Sequence, residues 1–401
     1  MTDKNKRAFV PEYTIGNRGL DVAALRNKAQ NDPEGFMRQC DALIEDGLRW
    51  SDIKDVKRLF NALAEVPVEA NFDVMGQSRA VMSSAFPLLS GNLTVAGIND
   101  AYDSVPTIGE QLVTEMDDNK RNSVVAGILA DNPSVDGVKE GEDFPEIGAG
   151  EEKYEIRNKR NGRRLSITAE MIEENDVAGI VRRINALGRI AAETVETQTI
   201  SRVCDENGSA TSPAEPYVLH YNGSAAALYQ TDNDPLTRLS SSGNRYTSNA
   251  LVDTTDLDNV RLRLASFTDD LGNLVNIPAS QCQLVVPDAL LHTALKIRGS
   301  EMEPSVENEI NNWGPRGAWQ PKVISSPRLD SISTTAWYYG DFKRQFTRKW
   351  KLRFENVMLG NTTESFLRSR LAAQFRIAWD CEIGATDYVY VIQSLSATTA
   401  P

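Results

Sequence analysis

Val177, Ile180, Val181, Ile184, Leu187, Ala191, Val195 and Val203 recur at steps of three and four, or multiples of them, and constrain this chain more than any other feature. Residues so spaced share one face of an α-helix, so the pattern predicts one helix with a single apolar stripe. Asn175 and Asp176 supply acceptors for the first free N–H groups, and Asn207-Gly208 supplies residues at which helices end. About 30 residues at 1.5 Å each make a rod of roughly 45 Å, well beyond the average helix of three to four turns. Such a rod serves either as the spine of an assembling subunit or as a core helix of a large α/β enzyme.

A charged, extended excursion precedes it. Glu140, Glu142, Asp143 and Glu146 lie on an outgoing limb, a Gly148-Ala-Gly150 break follows, and Arg157, Lys159, Arg160, Arg163 and Arg164 lie on the returning limb. Tyr154, Ile156, Leu165 and Ile167 alternate with polar and charged residues, the pattern of a strand with one apolar face. Asn161-Gly162 suits the positive φ values of a tight turn and predicts a hairpin there. A polar arm of this length buries no core of its own. Like charges gathered on one limb call for an opposite partner, and in water each exposed pair would add only ~0–1 kcal/mol. The nine charged side chains are therefore candidate contacts between subunits, setting register and specificity more than affinity.

The chain has 401 residues, 41% of them apolar, enough for a sizeable core and two or three domains. A formal charge of −13 argues against a broad basic surface that grips nucleic acid. It suits a protomer that repels its copies until assembly begins. Cys40, Cys204, Cys282 and Cys381 are scattered and read as reduced thiols of an intracellular protein. The opening Met1-Thr-Asp-Lys-Asn-Lys-Arg7 leads into no signal-peptide core, and no stretch is apolar enough to span a membrane.

The first part reads as helices: one with Phe36, Cys40, Leu43, Ile44 and Leu48, and one from Ser51 to the Val66-Pro67 step. A third is expected over residues 78–85 before Pro87, and a fourth over 91–102. Thr107 and Glu110 offer a capping box for a short helix through Met116. Residues 123–129 are β-prone. From 208 to 254 the composition turns to Ser, Thr, Asn and Gly, a loop-rich insertion. A helix capped at Thr255-Asp256, a turn at 269–272, a strand at 283–287, a helix at 288–296, a loop at 299–317 and a strand at 322–325 follow. The end is β-rich, with strands at 337–342, 351–354, 366–377 and 387–392.

Catalytic patterns are missing. His292 lies in an ordinary helix pattern, and His220 lies in the insertion without a nearby acid pair or cysteine. There is no Gly-x-Ser-x-Gly elbow, phosphate loop, dinucleotide fingerprint or clustered Cys/His spacing. Thr231-Asp-Asn-Asp234 lacks the glycine and terminal glutamate of a calcium loop. A glycosidase-type acid pair could hide among the many carboxylates, since sequence spacing does not reveal one.

Five stretches resemble the major capsid proteins of tailed bacteriophages, of the Hong Kong 97-like fold, and within them the Mu-like major head subunit family. They are Gly137-Val-Lys-Glu-Gly-Glu142; the run from Asn161-Gly-Arg-Arg-Leu to Glu173-Glu-Asn-Asp176; Leu284-Val-Val-Pro-Asp-Ala-Leu290; Val323-Ile-Ser-Ser-Pro-Arg-Leu329; and Trp337-Tyr-Tyr-Gly-Asp341. Their order and spacing carry the resemblance, which covers residue 137 to the C-terminus. It implies an α+β chain in five parts: a helical N-terminal region and arm (1–134), an extended loop (135–168) and a spine helix (169–207). An axial domain with the insertion (208–330) and a β-rich peripheral part (331–401) complete it. It also implies assembly with itself into pentamers and hexamers, an icosahedral virion shell around double-stranded DNA bound without sequence specificity, and assembly in the host cytoplasm. Portal, scaffolding and decoration or cement proteins are the implied partners. No cofactor, metal, membrane or enzymatic role is implied. Lys153 and Lys159 sit where some relatives cross-link, but lysines are expected in any polar arm and no such bond is predicted. An encapsulin-like compartment of the same fold, or a soluble acid/base hydrolase, are the competing readings.

Overall fold

The computed structural model describes residues 14–15, 18–19, 85–120, 122–130, 149–168, 176–206, 219–221, 224–231, 243–268, 274–302, 310–359 and 371–396, with single positions at 32, 38, 42, 44, 45, 49, 170, 171 and 174. Of the helices expected before residue 67 only positions 38, 42, 44 and 45 are described, as helical, and of the helix expected over 78–85 only Ala85, the first residue of the next helix; the turn at 269–272 lies outside these residues.

In chain order, strands β1 (Thr14–Ile15) and β2 (Arg18–Gly19) form a small antiparallel pair. Helices α1 (Ala85–Asp103) and α2 (Gly109–Leu112) precede β3 (Thr114–Asp117), β4 (Asn122–Ala130), β5 (Ala149–Arg157) and β6 (Lys159–Thr168). The long helix α3 (Val177–Val203) comes next, then β7 (Leu219–Tyr221), β8 (Ser224–Ala226), β9 (Arg245–Tyr246) and α4 (Thr254–Ala265). Strand β10 (Gln283–Pro287), α5 (Asp288–Gly299), β11 (Lys322–Ser326), α6 (Pro327–Ile332), β12 (Trp337–Gly340) and α7 (Phe342–Gln345) follow. The chain closes with β13 (Phe346–Leu359), β14 (Leu371–Ala385) and β15 (Val391–Ser394). The class is α+β, as expected.

Two compact units divide these elements. The first comprises Met1–Pro106, Arg160–Thr194 and Leu352–Trp379. In it α1 packs on the early turns of α3, burying Leu93 and Ile98 against a stripe of Ile180, Ile184, Leu187 and Ala191. Gly188 permits this approach, because a Cβ there would stand 2.5 Å from the Ile98 carbonyl oxygen. Within the same unit β14 lies between β13 and β6, and Phe354 packs on Tyr102 and Trp379 with centroids 4.3 and 5.4 Å apart. The expected boundary at Pro87 does not occur. Pro87 sits in the first turn of α1, where the missing N–H would have had no helical acceptor.

The second unit comprises Thr107–Lys159, Val195–Lys351 and Asp380–Pro401. Its main sheet has the order β11-β10-β12-β15-β9. Strands β10 and β11 run parallel, while β10–β12 and β12–β15 are antiparallel. Strand β10 is a continuous apolar run, and Leu284, Val285 and Val286 are all buried, as befits a strand covered on both faces. The core also holds Phe267, Trp313, Trp337 and Tyr388. Asn244, fully buried, anchors the insertion to it, donating from Nδ2 to the carbonyls of Leu228 (2.8 Å) and Tyr388 (3.0 Å). A separate sheet has the order β4-β5-β7-β8.

Helix α3 has 27 residues, about 40 Å. Asp176 caps it as expected, its Oδ1 accepting from the Gly179 N–H at 2.8 Å. The C-terminus comes earlier than Asn207-Gly208. Asp205 takes the left-handed conformation (φ 50°), and the N–H groups of Glu206 and Asp205 bond back to the carbonyls of Ser201 and Arg202. This is the paired-bond closure that ordinarily favours glycine.

Candidate assembly surface

The extended excursion is a hairpin, but not the one the Asn-Gly pair predicts. Strand β4 pairs antiparallel with β5 from Asn122↔Arg157 to Ala130↔Ala149, a ladder about 30 Å long. Residues 131–148 connect the two strands, so Glu140, Glu142, Asp143 and Glu146 lie outside the described residues. Asn161 and Gly162 are in the middle of β6. Gly162 is needed there for contact rather than turning: a Cβ would meet the Ile377 carbonyl oxygen of β14 at 2.7 Å.

The chain passes from one sheet to another at Asn158, the single residue between β5 and β6. Strand β5 is hydrogen-bonded to β4 and β7, while β6 is hydrogen-bonded to β14. Asn158 is 7% exposed, and its Nδ2 donates to the Asp380 carbonyl at 3.2 Å, with the Lys349 carbonyl at 3.5 Å. A side-chain amide thus pins the backbone where it leaves one sheet for another. No turn-forming pair is required.

The five basic residues of this stretch are all exposed. Arg157 ends β5; Lys159, Arg160, Arg163 and Arg164 occupy the first part of β6. The second part of β6 anchors the strand through buried Leu165 and Ile167. Arg160 Nη2 stands 3.9 Å from Glu355 Oε2, and Arg376 Nη2 stands 3.6 Å from the same oxygen. These exposed, shared contacts contribute little. Among the described residues Arg163 and Arg164 form no ion pair. The result is a positive strip on a firmly held strand of a chain whose formal charge is −13.

Sequence reasoning missed a set of buried charges in the second unit. Glu196 of α3 is 5% exposed and receives the backbone N–H groups of Ile108 (2.9 Å) and Gly109 (3.0 Å). It therefore caps α2, which has no side-chain cap of its own. The expected capping box at Thr107 and Glu110 is replaced, and Thr114–Asp117 forms β3, parallel to β13, rather than prolonging a helix. Arg348 of β13 donates to Thr199 Oγ1 at 2.8 Å and approaches Glu115 at 3.4 Å. Lys349, with no exposed side-chain surface, donates to the Lys120 carbonyl at 2.7 Å and lies 3.8 Å from Asp118. Arg202 pairs with buried Glu382 at 3.1 Å. Burial raises the Glu382 carboxyl above its ordinary value, with Arg202 opposing. One signal for Glu196 was present: it falls on the α3 face that also carries Ala192, Thr199 and Val203, where a lone carboxylate requires a partner.

Reactive groups are not assembled among the described residues. Burial pushes the Cys204 and Cys381 thiols up to about 12 and raises that of Cys282. His292 is exposed on α5, and no three His, Cys, Asp or Glu side chains among the described residues form a metal-binding group. No helix among these residues is long and apolar enough to cross a membrane.

Residues 152–392 match the profile of a family described as phage capsid protein. No curated protein matches the chain. Among solved structures it is similar to the capsid of a native GTA particle, at 10% identity over 73% of this chain and 92% of that one, with a TM-score of 0.47. It is similar also to the bacteriophage PhiM1 mature capsid, at 9% identity over 74% of this chain and 89% of that one, TM-score 0.45. A virus-like particle from Pyrococcus furiosus gives 8% identity over 75% and 97%, TM-score 0.40.

Proposed function

This chain belongs to the phage capsid protein family, and from that premise we propose that it is the major head subunit of a tailed phage, closing as pentamers and hexamers into an icosahedral shell around double-stranded DNA. The role is structural and not catalytic. Assembly takes place in the host cytoplasm, with portal, scaffolding and decoration proteins as partners. The observation that carries this reading is the β4–β5 hairpin joined at Asn158 to an exposed basic strip. Arg163 and Arg164 have no ion pair among the described residues, while the chain as a whole is strongly acidic. A neighbouring subunit offers the opposite charge, including the limb with Glu140, Glu142, Asp143 and Glu146. Charge complementarity of this kind fixes register and discourages wrong contacts, while large subunit interfaces supply the driving force. The stability of the finished shell then belongs to the lattice more than to the subunit. The net negative charge agrees with an inner wall that holds packaged DNA loosely.

Electron microscopy with analytical sedimentation of the purified chain, alone and co-expressed with a scaffolding protein, tests the proposal. Closed shells, or rings of five and six, are expected. A stable monomer or dimer under both conditions overturns it. Shells that enclose a protein cargo and exclude DNA keep the shell and replace the genome reading with a compartment.

A further inference from the structure

In the second unit the end of α4, the segment 275–279, Cys282, Trp319 and Tyr339 line a partly open cavity of about 350 Å³. That is the small end of the range for sites that take organic ligands. Leu264, Val275, Ile277 and Pro278 make one part of the wall apolar, and the rest is polar. Arg261 stands at one side, its guanidinium carbon 3.8 Å from the centroid of the Trp319 ring. Trp319 is in turn held at 5.7 Å by Trp313, which packs on Tyr339 at 5.6 Å, so the guanidinium rests on a fixed aromatic platform.

The Nε of Arg261 is buried and has no hydrogen-bond partner among the described residues. Asp258 Oδ1 lies 3.7 Å away, beyond hydrogen-bond reach, and already accepts from Trp313 Nε1 at 3.2 Å. An unsatisfied buried donor beside a cavity is costly unless an acceptor enters. Burial pushes the pKa of the Tyr339 hydroxyl and of the Cys282 thiol up, so both remain neutral and Arg261 is the charged group among the lining residues.

We propose that this cavity binds an apolar chain ending in a carboxylate, delivered either as a free aliphatic acid or as the C-terminus of a peptide with an apolar last residue. The carboxylate meets the guanidinium fork, whose planar donors match its two oxygens. The apolar chain covers Leu264, Val275 and Ile277. This site is independent of the shell reading, since it lies within one unit of one subunit.

Calorimetric titration of the full chain with octanoate, octanol, and N-acetyl-Leu-Leu as free acid and as amide tests it. Each acid is expected to bind at least ten-fold more tightly than its neutral counterpart, and Arg261→Gln to abolish that preference. Binding of octanoate alone assigns the aliphatic acid, and binding of the peptide acid alone assigns the terminus. Ala265→Leu, which narrows the cavity without altering its charge, is expected to weaken acid binding ten-fold or more. Equal binding of acids and neutral probes, no binding at all, or an unchanged acid preference in a folded Arg261→Gln variant overturns the proposal. So does undiminished acid binding by Ala265→Leu. None of these outcomes bears on whether shells form.

Discussion

The Glu196 carboxylate holds the backbone N–H of Gly109 at 3.0 Å and so caps a helix to which it does not belong. The two residues are 87 positions apart. Replacing Glu196 by Ala leaves the buried Gly109 donor and the half-buried Ile108 donor without this acceptor. At roughly 1–3 kcal/mol for the buried Gly109 group and about 1 kcal/mol for the half-buried Ile108 group, the loss is about 2–4 kcal/mol. Chemical denaturation of the unassembled chain is expected to show a midpoint shifted by that amount with an unchanged slope. Glu196→Gln, which keeps one acceptor oxygen, is expected to fall between the parent chain and the Ala variant. A loss below about 0.5 kcal/mol in the Ala variant would mean that water replaces the cap.

Gly162 gives a second stability test, and its outcome separates a strand from a turn. In β6 a Cβ at this position meets backbone, the Ile377 carbonyl oxygen at 2.7 Å, and backbone cannot swing aside as a side chain can. Gly162→Ala is therefore expected to destabilise by about 1–3 kcal/mol through overpacking. Asn161→Ala, harmful at a hairpin turn that needs positive φ, is expected to cost less than about 1 kcal/mol. Thermal unfolding of the two variants is the measurement. The reverse order of effects would restore the turn.

These sites mark where the sequence is informative and where it is not. Helix α3 was legible because its information is local: Ile180, Ile184, Leu187, Ala191 and Val195 are buried at the expected spacing, and Asp176 caps it. Strand β10 was legible as a short apolar run with a proline at its end. Strand pairing is not local. Nothing near Asn161-Gly162 tells that β14, which begins at Leu371, will lie beside it. The same holds for Lys349, which reads as a surface residue yet is fully buried, because its acceptor on Lys120 is 229 residues away. Of the nine proposed contact residues, the five basic ones are exposed where a partner could reach them; the four acidic ones fall outside the described residues.

Arg163 and Arg164 connect structure to assembly. Both are exposed and carry no ion pair among the described residues, so changing them leaves the subunit fold intact. Arg163→Glu with Arg164→Glu is expected to leave the melting temperature within about 2 °C, as for ordinary surface substitutions of about ±0.5 kcal/mol. The yield of closed particles on a density gradient is expected to fall at least ten-fold. Normal particle yield would remove the basic strip from the assembly contacts.

Asp205 makes the stability of the second unit depend on pH. It closes α3 in the left-handed conformation, and its Oδ2 accepts the Leu228 N–H at 2.7 Å. Burial raises its carboxyl from 3.8 to about 6, against the lowering effect of the Leu228 and Tyr229 N–H groups and of Arg202 and Arg245. A carboxyl whose folded value lies above its unfolded one binds more protons in the folded state between those values. Stability contributed by this group is therefore complete below about pH 4 and is lost as pH rises towards 6, by about 3 kcal/mol in all. Asn cannot ionise, keeps an acceptor for Leu228 and tolerates positive φ. The melting temperature of Asp205→Asn minus that of the parent chain is thus expected to rise from about pH 4 to about pH 6 and to level off above it. Taking the difference cancels the other carboxyl groups, Glu382 among them. A flat difference across that range would mean that the Asp205 carboxylate is solvated well enough to ionise normally.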